Sequence, residues 1–130
     1  MQPQLQALFD RHFDDVVADL PEQVHRLLDD VAMYVEDYPS ADVMRRTGVR
    51  QRNHLCGLYT GIPLTSRSVE HSGVLSDAVH IYREGIISLA TRRDGSIDEN
   101  ELRKQIRITV LHELGHNHGL GEDDLRELGY

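Results

Sequence analysis

The stretch from Asp94 to Gly119 sets the strongest limit on the fold. Leu102, Ile106, Val110 and Leu114 recur every four residues, the spacing at which side chains stack along one side of an α-helix. A helix with such a stripe has to bury it, so it needs a sheet or other helices to lie against. Ile108 is expected on the same inward stripe, which would put His112 and His116 at the end of a packed face. Asp94-Gly95 marks a turn, and Ser96 with Glu99 has the spacing of a capping box. Asp98, Glu99 and Glu101 put negative charge where the helix dipole favours it. The helix is expected to run to about His118 and to end at Gly119.

The rest of the chain supplies shorter pieces. Leu5, Leu8, Phe9, Phe13, Val16 and Val17 predict an amphipathic helix over Gln4 to Ala18, stopped near Pro21. A second short helix is expected from Glu22 to Leu28. The apolar run Val31 to Val35, closed by Asp37-Tyr38-Pro39, predicts a strand. Ser40 is placed to cap a helix over Ala41 to Arg46, with Gly48 as its stop. Leu55 to Thr60 and the alternating Val79 to Arg83 predict two more strands, and Ile86 to Ala90 a brief helical stretch. Helices and strands mixed, then one long helix, describe an α+β fold: a small mixed sheet packed against helices. At 130 residues with no linker or repeat, residues 1–130 are expected to form one domain.

Charge and composition narrow the function. A formal net charge of -8 disfavours nucleic acid as a partner, since phosphate binding needs a basic surface. No apolar run approaches the roughly 20 residues that span a bilayer, and the first residues lack a secretory pattern, so no membrane association is expected. Cys56 is the single cysteine and has no intrachain partner, which suits a reducing cytoplasm. The sequence carries no signature of an oligomeric state.

The long helix contains His112-Glu113-Leu114-Gly115-His116, an H-E-x-x-H sequence. Residues four apart project about 40° from each other, one turn up, so both imidazoles can reach one ion. Glu113 is rotated about 100° from His112 and would stand beside that ion, where its carboxylate can take a proton from an activated water. Zinc suits two imidazoles, a carboxylate and one open position.

For the third ligand, Gly119 can reverse the chain. Counting His112 as one, Glu122 is position eleven, the H-E-x-x-H-x-x-G-x-x-ligand spacing of metzincins with Glu replacing His. Only fourteen residues follow His116, which favours a local ligand: Glu122, with Asp123 as the substitute.

The sequence resembles the small bacterial zinc proteases with a minimal, matrix-metalloprotease-like domain. The likeness runs through His112 to Leu120, Glu122-Asp123-Asp124-Leu125 and Glu127-Leu128-Gly129-Tyr130. It also takes in Gly57 to Thr65, Arg67-Ser68-Val69, Ile81-Tyr82-Arg83 and Val35-Glu36-Asp37-Tyr38-Pro39, so that it covers roughly Asp29 to Tyr130. The resemblance implies a zincin-like fold, zinc held by His112, His116 and Glu122, Glu113 as general base, and a peptide or protein substrate. One departure stands out. Metzincins carry a Met turn beneath the metal, whereas the last Met here is Met44, which leaves Leu125, Leu128 or Tyr130 to floor the site.

The expected activity is therefore zinc-dependent peptide hydrolysis, the peptide adding as a strand along Leu55 to Thr60 or Val79 to Arg83. The competing expectation is a non-catalytic zinc-binding module that recognises a protein partner. Among the other residues, His118 points away from the metal if the helix persists, and His80 reads as a half-exposed strand residue. His12, His25, His54 and His71 have no partner spacing, Cys56 reads as a small buried side chain, and Tyr130 is a candidate oxyanion donor. Arg45, Arg46, Arg50 and Arg52 form a basic patch, read as a solvated loop ahead of a docking surface.

Overall fold

Ala78–Tyr82 is the strand on which the sheet is built: every residue but His80 is buried, and it has a neighbour on each side. The computed structural model describes residues 1–61 and 77–117. Within them the order is α1 (Pro3–Ala18), α2 (Glu22–Leu28), β1 (Ala32–Glu36), α3 (Ala41–Thr47), a single 3-10 turn η1 (Arg52–His54), β2 (Gly57–Thr60), β3 (Ala78–Tyr82), α4 (Arg83–Leu89) and α5 (Glu99–Asn117). The sheet order is β1-β3-β2, with β1 parallel to β3 (Ala32 opposite Ala78) and β2 antiparallel to it (Gly57 opposite Ile81). This is the expected α+β arrangement, a small mixed sheet against helices. Among the described residues no helix is long and apolar enough to cross a membrane.

One core joins the layers. Phe9, Val16 and Leu20 of the N-terminal segment, Val24 of α2, Val79 and Ile81 of β3, Ile86 of α4, and Leu102, Ile106, Val110 and Leu114 of α5 form a single buried cluster. Val79 and Ile81 share the face of β3 turned to the helices, as strand alternation requires. On the opposite face His80 stacks between Tyr34 (5.4 Å) and Tyr82 (6.4 Å) and its Nδ1 lies 2.7 Å from Glu36 Oε1.

Local signals explain most boundaries. Ser40 Oγ accepts from the Val43 amide at 3.1 Å, and Gly48 closes α3 with φ 76°. Within the segment Leu55 to Thr60 the strand itself begins at Gly57, after Arg52–His54 has made the 3-10 turn against α4. The helical stretch expected from Ile86 begins earlier, at Arg83, directly off β3. Arg83 fixes that junction by donating to Asp10 on α1 (2.9 and 3.1 Å) and to Asp37 beyond β1 (3.0 Å). The tight crossing also needs Gly85, where a Cβ would lie 2.3 Å from the Leu55 carbonyl oxygen.

The start of α5 departs from expectation. Its cap is Asp98, whose Oδ1 accepts from the Glu101 amide at 3.1 Å, while Ser96 is used elsewhere. Both the Ser96 amide (2.9 Å) and hydroxyl (2.6 Å) donate to Asp94 Oδ1, closing the Asp94-Gly95 turn, and Ile97 bridges back to Thr91. Glu99, the expected reciprocal half of the box, instead binds His12.

Candidate metal and catalytic centre

Helix α5 presents two faces with different fates. Leu102, Ile106, Val110 and Leu114 are buried in the core. Turned away from them, Gln105, Ile108, Thr109, His112, Glu113 and His116 line an open groove of about 340 Å³. Ile108 is therefore a correction: it is half-buried on the groove side, because it stands about 200° from Ile106 and from Val110. The two histidines continue this groove face, not the packed stripe.

The opposite wall of the groove is His54, Cys56, Gly57 and Leu89. Here β2 passes close over α5: a Cβ on Gly57 would stand 2.8 Å from Thr109 Cγ2 and 3.1 Å from Glu113 Cγ. That contact half-buries Glu113 and leaves its Oε2 enclosed with no hydrogen-bond partner among the described residues. Burial pushes the Glu113 carboxyl above its ordinary value, and nearby His116 and His112 offset this only in part. The Cys56 thiol is pushed up as well, by burial and then by the Glu113 charge. Tyr82, behind the strand, is raised to about 12 by burial and by the charges of Glu36 and Glu113.

His112, His116 and Glu113 are thus on one groove. His112 is half-buried and His116 exposed. The expected third ligand Glu122, its substitute Asp123, and His71, His118, Leu125, Leu128 and Tyr130 lie outside the described residues. Among the described residues no three His, Cys, Asp or Glu side chains converge as a metal cluster, so Cys56 does not join His112 and His116 as a third ligand there. A carboxylate oxygen enclosed without a partner among the described residues, beside two imidazoles one helical turn apart, is a donor set that fits zinc with an adjacent base.

Sequence spacing missed two histidines. His54 reaches the groove only because η1 packs on α4, where Ser88 Oγ donates to the Asn53 carbonyl at 3.3 Å. His12 is buried between α1 and α5, with Nε2 2.6 Å from Glu99 and Nδ1 2.8 Å from Arg103 Nη1. Both contacts join residues far apart in sequence, so no local pattern announces them. The basic patch, by contrast, is largely paired internally. Arg45 and Arg46 bind Asp42, and Arg52 binds Glu84 at 2.8 Å while stacking over Tyr38. A larger cavity of about 770 Å³ is lined in part by Leu5, Tyr38, Arg52, Glu84 and Ile87 and contains none of the motif residues.

Comparison with known proteins matches residues 28–130 to the family model described as zincin-like metallopeptidase. No curated protein matches the chain. The matched span begins at the end of α2, so α1, whose Phe9 and Val16 join the same core, lies in front of it.

Proposed function

We propose, since this chain belongs to the zincin-like metallopeptidase family, that it is a zinc-dependent peptidase with Glu113 as general base. His112 and His116 would hold the ion together with Glu122 from beyond the described residues. Zinc, when bound there, supplies Lewis acidity towards the attacking water and the scissile carbonyl. The chain's own residues do the rest. Glu113 Oε2 is enclosed and, among the described residues, without a hydrogen-bond partner, and its raised pKa suits a group that takes a proton from water and returns it to the leaving amine. The shared groove of His112, Glu113 and His116 is the observation that carries this reading.

Of the two strands expected to receive a peptide, β3 is central and paired on both edges. β2 pairs only with β3 among the described residues and borders the groove at Gly57, which favours it as the strand a peptide would extend. The enclosed Glu113 Oε2, without a hydrogen-bond partner among the described residues, favours the catalytic reading over a purely partner-binding zinc module. The single, half-buried thiol of Cys56 supports a reducing compartment such as the cytoplasm.

The test is zinc loading followed by incubation with a diverse peptide library. One zinc per chain and chelator-sensitive cleavage are expected. Glu122→Ala should weaken zinc more than Asp123→Ala. Stoichiometric zinc with no cleavage of any peptide would favour the partner-binding module.

A further inference from the structure

Glycine is a poor strand residue, yet Gly57 opens β2 at the point where the strand meets the catalytic helix. Its backbone does not demand glycine: the positive-φ glycines among the described residues are Gly48, Gly61 and Gly95. Space does. An added Cβ would stand 2.8 Å from Thr109 Cγ2, 3.1 Å from Glu113 Cγ and 3.1 Å from the His80 carbonyl oxygen. The first of these distances is closer than carbon atoms approach without displacement. Thr109 has little freedom to yield, being buried, with its hydroxyl donating to the Gln105 carbonyl at 2.9 Å. The strand backbone itself is held by pairing with β3 (Gly57 opposite Ile81) and by the Tyr82 amide donating to the Cys56 carbonyl at 2.8 Å.

We propose that Gly57 is a positioning residue for Glu113: the bare backbone of β2, seated on Thr109, presses on the Glu113 stem and aims its carboxylate. This rests on the reading of Glu113 as general base. The strand removes the space on one side of Cγ, so the side chain keeps its enclosed Oε2 instead of turning to solvent. A methyl group at 57 must lift the strand or move Glu113, and an error of about 1 Å in a reacting group costs about a hundredfold in rate.

The experiment compares Gly57→Ala, Thr109→Ser and the double variant with the parent on a peptide that the parent cleaves. Gly57→Ala should keep one metal per chain and the parent's cobalt(II) absorption spectrum, because neither histidine is touched. Its kcat should fall about ten- to a hundredfold with KM changed by less than about twofold. Adding Thr109→Ser removes the nearest clashing atom and should return part of the lost kcat. A merely structural role predicts a lower melting temperature with parental kcat per bound metal. That result overturns the proposal, as does a loss of kcat that the double variant leaves unchanged. If Gly57→Ala does not fold, the double variant is measured against Thr109→Ser, with the same split between kcat and KM expected. Parental turnover by Glu113→Gln would overturn the general-base reading itself, a separate failure.

Discussion

His12 Nε2 lies 2.6 Å from Glu99 Oε1, joining α1 to the first turn of the helix that bears the H-E-x-x-H sequence. Arg103 Nη1 donates to the other ring nitrogen at 2.8 Å, so the imidazole is the tautomer with its proton on Nε2, directed at Glu99. Replacing it leaves an arginine and a carboxylate without their shared partner. His12→Ala should lower the melting temperature by about 3–6 °C while zinc stoichiometry is unchanged, measured by thermal unfolding and metal analysis. An unchanged melting temperature would show that the latch contributes nothing.

The two faces of α5 give opposite outcomes for similar substitutions. Ile106 is fully buried, so Ile106→Ala should cost about 2–5 kcal/mol in denaturant unfolding. Ile108 lines the groove half-exposed, and Ile108→Ala should cost less than half as much. Its effect should fall on peptide binding instead. Equal destabilisation would return Ile108 to the packed stripe.

Cys56 shares the groove with Glu113, and burial together with the Glu113 charge raises its thiol. Only the thiolate reacts with alkylating agents. Iodoacetamide should therefore modify Cys56 more slowly than a free cysteine at pH 7.5, and Glu113→Gln should speed the reaction. A rate at or above that of free cysteine would contradict the enclosed geometry.

Acid stability has an identifiable contributor in Asp37. Both its oxygens accept from Gln6 Nε2 at 3.0 Å, and Arg83 Nη1 donates at 3.0 Å, which holds the carboxyl below its ordinary value. A folded value below the unfolded one means that the stabilisation is complete above the ordinary carboxylate range and is lost as pH falls through the folded value. Asp37→Asn should thus be less stable than the parent at pH 7, with the gap narrowing as the pH falls below the ordinary carboxylate range. A gap that stays constant as the pH is lowered through the acid range would assign the effect to packing instead.

What the sequence made legible follows from what is local. The stripe of Leu102 to Leu114, the Ser40 cap and the Gly48 stop each depend on neighbours within a few residues, and all three appear where expected. The α5 cap was misplaced by two residues because Asp94, Ser96 and Asp98 are all competent caps. The choice between them turns on the Asp94 to Ser96 turn and on the Asp98 amide donating to the Ala90 carbonyl at 2.8 Å. Strand order could not be read: β2 and β3 are similar short apolar runs, and only packing puts β3 at the centre. The same holds for the groove wall, where Gly57, His54 and Cys56 gain meaning only once β2 is laid over Thr109 and Glu113.

The most direct measurement compares the zinc-loaded parent with zinc-loaded Glu113→Gln, scoring cleavage of one peptide by mass spectrometry at matched metal content. The account predicts one zinc per chain in both, with cleavage in the parent and a loss of at least about a hundredfold in the variant. Cleavage by Glu113→Gln at the parental rate would contradict it.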